Sequence, residues 1–427
     1  MNKFLILTLL AACVAHGYAQ LPGDTVAEDD AAVRENPQIE ETSQVERIKV
    51  PAYIRQAANR IDLNGADWSA LRRRFGSAAD SAVSVVHIGD SHLQADFATA
   101  VIRQHMQARY GNAGRGLVIP FKMAGTNEPH DYAITSADGM VTSRLLKMPW
   151  PTEMTFTGIA VQPANAAPFT LRVSSRDPFD RLTFFSSSPG LEVCGVDVQG
   201  LPVSLDTCST GKTLSIALPA AAVEAVVRLT ASPGTAIGGI SLGRGDTGVA
   251  YHVIGNNGAT YSTYIQTGSM GADVAALSPE LIVVSLGTNE AFGRVSDATF
   301  RTDIETLVGD LRRHNPQAEI LLVTPAECYR RRTVRRRGRR RRARTVYSVN
   351  PNIRRLRDVI VKYGRDNNIA VYDWYNVAGG AGSAAKWLAD HNLGRDRIHL
   401  TAAGYRLQGQ LTADALIRSL SPHSSHD

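Results

Sequence analysis

The stretch that most limits the fold is "LIVVSLG", Leu281–Gly287. It is a near-continuous apolar run with no polar alternation, the pattern of a central strand buried on both faces of a parallel sheet. Its neighbours repeat the theme. "YHVIG" precedes it, and "AEILLVTPA" and "IAVYDW" follow, each apolar and short. Between them lie "ATFRTDIETLVGDLRRHN" and "NPNIRRLRDVIVKYGRDNN", and after them "TAAGYRLQGQLTADALIRSL", all with apolar residues at helical spacing. Strands alternating with helices predict an α/β fold, a doubly wound parallel sheet with helices on both faces.

The same character occurs near the N-terminus. The strand Val83 to Ile88 ends at Gly89, and 95–110 reads as the helix of a β-loop-α unit, with Gly111 as its C-cap. Between about 114 and 246 the pattern differs. "MTFTGIAVQ", "FTLRVSS", "RLTFFSSS", "LEVCGVDV", "TLSIALP" and "AVVRLTAS" are β-type runs separated by Pro, Gly, Ser and Asp. Short strands with regular turn signals predict an antiparallel, jelly-roll-like sandwich. The expectation is one α/β domain in two segments, 51–114 and 247–427, split by an all-β insertion, 115–246. The insertion's aromatics, Tyr132, Trp150, Phe169, Phe179, Phe184 and Phe185, read as core more readily than as sugar platforms.

Composition matters chiefly for charge. Hydrophobic residues make up 44% of the 427, enough for real cores. The net charge is +6, but 330–344 alone holds eleven arginines, and removing these leaves −5. The basic character therefore belongs to one segment, read here as a loop at the carboxyl end of a strand. Repulsion among like charges favours a solvated excursion; the functional alternative is attraction to an anionic polymer or surface. With no aromatic interleaving inside the run, nucleic acid is not expected as a partner.

Residues 1–19 read as a secretion signal, with Lys3 before a short apolar core and Gly17 and Ala19 before the cut. A competing reading is a lipobox, Leu10 to Cys13, with Cys13 lipidated. Either places the protein outside the cytoplasm, periplasmic or secreted. Residues 20–50 have little to bury and read as a flexible leader. In an oxidising compartment Cys194 and Cys208 could pair, while Cys328 reads as a small buried hydrophobe.

Four short motifs fall at strand ends, where open parallel sheets place their sites. They are Gly89-Asp90-Ser91-His92, "IGNNGATYS" with Gly255 and Gly258, Gly287-Thr288-Asn289-Glu290, and Asp396-Arg397-Ile398-His399. Each alone has a bland reading as a turn, a cap or a packed histidine. Together they contain what acyl transfer needs. Ser91 is a nucleophile once a base takes its proton, His399 is a base, and Asp396 can orient it. The N–H groups of Ser91 and Gly258 and the amide of Asn289 are oxyanion donors. The chemistry requires no cofactor and no metal. His92 reads as a cap or packing residue, Gln94 as a candidate wall of the site, and Asp96 as a first-turn acid without a catalytic role.

The order and wording of these motifs resemble the SGNH (GDSL-type) hydrolase family. The resemblance implies Ser91, Gly258, Asn289 and His399 as the four name-giving residues and Asp396 as the acid. GTNE departs from the family's GxND, which leaves the asparagine in place. The split architecture resembles the peptidoglycan O-acetylesterases of Gram-negative bacteria, whose insertion is carbohydrate-binding-like. It implies an O-acetylated glycan as partner and removal of O-acetyl groups from N-acetylmuramic acid as the reaction. Another acylated polysaccharide, an O-acetyltransferase with the same triad, and a non-catalytic wall-binding protein remain as alternatives.

Overall fold

The computed structural model describes residues 47–165, 167–268, 270–335 and 343–421. Residues 1–46, with the stretch read as a secretion signal, Cys13 and most of the stretch read as a leader, lie outside them. The leader's last residues, 47–50, are not loose. Arg47 pairs with Asp414 at 2.7 Å, and Gln410 bonds both the N–H and the C=O of Ile48, which fixes this stretch on the last helix.

The α/β sheet has six strands. In spatial order they are Ile61–Asp62, Ala370–Tyr372, Glu319–Val323, Leu281–Ser285, Val83–Gly89 and Val249–Gly255. All neighbours are parallel except the two-residue edge strand Ile61–Asp62. Side chains alternate across each strand, so one sheet feeds two cores. Val86, Ile88, Ile282 and Val284 meet the helices Asp297–His314 and Pro351–Asp366 on one face. Val83, Val85, Leu281 and Val283 meet Phe97–Tyr110 and Ala402–Leu420 on the other. Polar side chains start these helices as the sequence dictates. Ser296, Asn350 and Thr401 each accept a backbone N–H of the first turn, and Pro351 occupies the first helical position after Asn350.

The all-β region forms one hydrogen-bonded sheet of ten strands. The sequence divides "FTLRVSS" from "RLTFFSSS", and "TLSIALP" from "AVVRLTAS". The structure instead runs each pair into a single long strand, Phe169–Ser186 and Thr213–Ala231. The register between them shifts around Ala217–Glu224, beside Pro178 and Pro219. Bulges of this kind let a strand bend and pass from one layer to the next while it stays paired. Phe169, Leu171 and Val173 from one half and Leu182 and Phe184 from the other share one hydrophobic cluster. Tyr132, Phe169, Phe179, Phe184 and Phe185 are buried, and Trp150 packs against the α/β core, so these rings serve as core. Cys194 and Cys208, which the sequence allowed as a pair, are exposed free thiols on separate strands; Cys328 is buried.

Two further expectations change. The described flanks of the arginine run are strands, not loop. Tyr329–Arg335 and Ala343–Val349 pair antiparallel as a two-stranded ribbon, with 336–342 outside the described residues. The flanks alternate Tyr, Thr and Val with arginine, a β pattern that the charge conceals. Nor does one helix span 95–110. A short helix, Ser91–Gln94, precedes Phe97–Tyr110, and Asp96 between them is left-handed with φ 58°.

Asp96 makes no capping bond. Its buried carboxylate instead pairs with Arg103 at 2.9 Å and Arg115 at 2.6 Å, and Arg115 also reaches Asp131 at 2.9 Å. Burial raises the Asp96 carboxyl, but the two guanidinium groups outweigh it and hold the pKa below its usual value. This network joins the nucleophile's helix pair to the start of the all-β region. Arg115→Ala removes one of the two guanidinium partners of a buried carboxylate and is expected to cost about 1–3 kcal/mol. A urea midpoint within error of wild type would contradict that role.

Candidate active site

Three loops at the carboxyl edge of the sheet and one loop before the last helix converge. Ser91 is the first residue of the short helix after Val83–Gly89. Its Oγ lies 2.7 Å from His399 Nε2, and His399 Nδ1 lies 2.6 Å from Asp396 Oδ2. The other carboxylate oxygen, Asp396 Oδ1, accepts the N–H groups of Ile398 (2.9 Å) and His399 (3.0 Å). With Nδ1–H directed at the carboxylate, Nε2 is left to accept the serine proton. The spacing of three residues works because Arg397 adopts a left-handed conformation, φ 63°, which turns the chain back on itself.

Electrostatics follow the contacts. The hydrogen bond to Asp396 raises the His399 pKa above its ordinary 6.5, against the opposing effect of burial. Burial raises the Asp396 carboxyl, yet the bonds from His399 and Ile398 outweigh it, so its pKa falls. Asp90, next to the serine, is 1% exposed, and burial pushes it up to about 7. Its oxygens accept His92 N (2.9 Å) and Asn289 Nδ2 (3.2 Å).

Gly258 lies in the loop after Val249–Gly255, with φ +83° and the Leu146 side chain 2.7 Å from where a Cβ would stand. The positive φ favours glycine there, while the exposed leucine tip could move aside. Among the described residues neither its N–H nor that of Ser91, at a helix start, has an acceptor. Asn289 is placed differently from expectation. Its amide already donates to Asp90 and to Ala259 O (2.9 Å), so it binds the serine loop to the Gly258 loop. Glu290 completes this joint. It is buried, its pKa is pushed up to about 7 by burial, and Oε1 accepts Tyr261 N at 2.9 Å. Asn289→Ala is expected to lower kcat by about 10²–10³ with a smaller change in KM, because it releases the joint that aligns the Ser91 and Gly258 N–H groups for the transition state. Steady-state kinetics on a small acetyl ester would refute this if kcat fell less than threefold.

The neighbouring residues have defined places. Gln94 Oε1 accepts Asn257 N at 2.7 Å, and its Nε2 donates to Thr126 Oγ1 (2.9 Å) and Asn127 O (2.8 Å). It is thus a buried brace under the Gly258 loop rather than an open wall. Thr126 and Asn127 belong to a loop without any periodic signal, and sequence reasoning did not find them. His92 packs on His399 with ring centroids 5.1 Å apart, and its Nδ1 bonds Tyr405 Oη at 2.9 Å. Burial and the charge of His399 push the His92 pKa down to about 3, so it stays neutral beside the base. Tyr405 is a helix residue with no local sign of this role. Among the described residues, no helix is long and apolar enough to cross a membrane.

A serine, a histidine and an aspartate in this relay, at the edge of a doubly wound sheet, define the class of serine acylhydrolases. More particularly, residues 240–407 match the GDSL-like Lipase/Acylhydrolase family, to which this part of the chain is similar. That stretch holds Gly258, Asn289, Asp396 and His399, while Ser91 comes to the same site from the first segment. No curated protein matches the chain. A solved peptidoglycan O-acetylesterase shares the fold with TM-score 0.65 and 22% identity, over 84% of this chain and 97% of that one. A lipase/acylhydrolase from Enterococcus faecalis matches at TM-score 0.30 and 23% identity, over 42% of this chain and 80% of that one. An acetyl xylan esterase matches at TM-score 0.30 and 19% identity, over 40% and 81%.

Proposed function

We propose that the protein is a secreted or periplasmic esterase that removes O-acetyl groups from a cell-wall glycan, with O-acetylated peptidoglycan as substrate. The observation that carries the chemistry is the Ser91–His399–Asp396 relay, with contacts of 2.7 and 2.6 Å. The glycan is supported by likeness in fold to a peptidoglycan O-acetylesterase over both the α/β and the all-β regions, 97% of that chain.

In this reading Ser91 Oγ attacks the acetyl carbonyl carbon while His399 Nε2 takes its proton. The carbonyl oxygen becomes an oxyanion held by the Ser91 and Gly258 N–H groups, whose loops Asn289 joins. The sugar alkoxide leaves with the proton from His399, and acetyl-Ser91 remains. Water, deprotonated by His399, then releases acetate and restores the serine. Asp396 keeps the imidazole in the productive tautomer throughout.

The test is acetate release from O-acetylated peptidoglycan and from acetylated xylan by the purified protein. Release favouring peptidoglycan is expected. Release from xylan alone would retain the chemistry and replace the substrate. Acetyl transfer to an added acceptor sugar in place of hydrolysis would make the protein a transferase. Binding without turnover of either polymer would make it a wall-binding protein.

A further inference from the structure

The arginine ribbon is attached to the catalytic loop itself. Tyr329 N donates to Arg397 O at 2.9 Å, and Arg397 stands between Asp396 and His399. The Arg397 guanidinium lies over the Tyr347 ring, 4.1 Å from its centroid, with the Tyr329 ring at 5.5 Å. Arg330, on the opposite side of the ribbon, donates to Phe292 O at 3.0 Å. A two-stranded ribbon is marginal alone, and this one is held at its root by the residue between the base and its orienting acid.

The register fixes which arginine shares that side. Arg331 stands directly opposite Tyr347, and Tyr329 lies two residues before Arg331. Directly opposed residues share a face, as do residues two apart on a strand. Arg331, Tyr329 and Tyr347 are therefore on the face that holds Arg397, and Arg332 is on the other. Arg331 and Arg332 are exposed.

Several arginines elsewhere on the surface have a carboxylate partner: Arg74 with Glu280, Arg172 with Glu224, Arg301 with Asp366, Arg357 with Asp373. Among the described residues, no carboxylate pairs with Arg331 or Arg397. Two arginines on one face of the ribbon, one of them seated over the Tyr347 ring beside the triad, suit an external carboxylate, which a guanidinium fork binds well.

We infer that Arg331 and Arg397, around Tyr347, form a docking site for a carboxylate borne by the polymer whose acyl group enters the triad. On a peptidoglycan strand, peptide substituents supply such carboxylates; this identity rests on the glycan reading above, while the carboxylate site itself does not. Docking there would set the strand's register against Ser91, and because Arg397 is part of the catalytic loop, the bound polymer would also brace Asp396 and His399.

The full chain is tested first with a fluorescent hexaglutamate, followed by anisotropy at 50 and 500 mM NaCl. Binding is expected at low salt and to weaken at high salt. Arg331→Ala is expected to weaken it about tenfold, Arg331→Lys to restore much of it, and Arg332→Ala, on the opposite face, to weaken it far less. Equal loss in Arg331→Ala and Arg332→Ala would show diffuse charge and overturn the site, as would wild-type affinity in Arg331→Ala. The second arm compares O-acetylated peptidoglycan with and without amidase removal of its peptides. The ratio of kcat/KM for intact to stripped polymer is expected to fall about tenfold in Arg331→Ala. An unchanged ratio would overturn the role in substrate docking. Should wild type release acetate from neither form, the function proposed above fails, and the hexaglutamate arm still decides the carboxylate site.

Discussion

Ser91→Ala is expected to lower kcat on a soluble acetyl ester by a factor on the order of 10⁵, with the fold intact. The serine is the group in the relay placed to form the acyl bond, and among the described residues its hydroxyl bonds His399, at 2.7 Å. The short helix it begins is capped by Asp90, not by Ser91, so alanine at this first helical position disturbs no capping bond. The thermal midpoint should therefore stay close to that of wild type. The free N–H groups of Ser91 and Gly258 survive the substitution and can still polarise a carbonyl, which predicts a small residual rate above the uncatalysed one. Two observations together would contradict the assignment: Ser91→Ala retaining activity within tenfold, and no acyl-enzyme mass shift of an acetyl group on wild type during turnover. His399→Ala should give a loss of similar size, and the double variant little more, because the residues act as a unit.

The parts of this site that were legible in the sequence are those in which a backbone event and a reactive side chain coincide. Gly89 ends a strand and Ser91 follows it; Asp396 and His399 are three apart before a capped helix. The apolar runs "LIVVSLG" and "AEILLVTPA" placed their strands because burial on both faces leaves no polar position to confuse the period. What was missed depends on contacts between distant residues. Asp96 reads as a first-turn acid, and only the fold brings Arg115 and Asp131 to it. Gln94 braces Asn257 from 163 positions away. The Asn289 amide serves as a joint because Asp90 and the Ala259 carbonyl both face it, which no spacing encodes. The long bent strands were divided at Pro178 and Pro219, since a proline in a strand reads locally as a boundary. The arginine ribbon was hidden for another reason: charge dominated the reading, although Thr333, Thr345, Val346 and Tyr347 carry the strand pattern.

Asp396→Asn is expected to lower kcat by about 10⁴ and to change the pH dependence as well. An asparagine fills the same space but can present its N–H₂ to His399 Nδ1, which favours the tautomer with the proton on Nε2. The base is then blocked at the atom that faces Ser91. The pH argument is separate. Only neutral His399 can accept the serine proton, and Asp396 raises its pKa above 6.5. Wild-type kcat/KM should therefore rise with pH through that raised value and level off above it. Removal of the carboxylate's charge removes the main cause, so the acid limb of the residual activity should move to lower pH. Asp90, pushed up to about 7 by burial, lies close enough to act on His399 and titrates in the same region, which broadens the limb beyond a single ionisation. The sign for stability runs the other way. His399 has a raised folded pKa, so its pairing stabilises the fold fully below its unfolded value of 6.5 and ceases to do so as pH rises through the raised value. Asp396 has a depressed folded pKa, so its share is present above the unfolded value of 3.8 and is lost as pH falls through the depressed one. Activity thus increases across the interval in which the ion pair's support of the fold declines. Because both side chains are more than a third exposed, solvent screens that support, and the change in thermal midpoint should be small beside the change in rate. A profile of Asp396→Asn with wild-type kcat, or with an unmoved acid limb, would remove Asp396 from the relay.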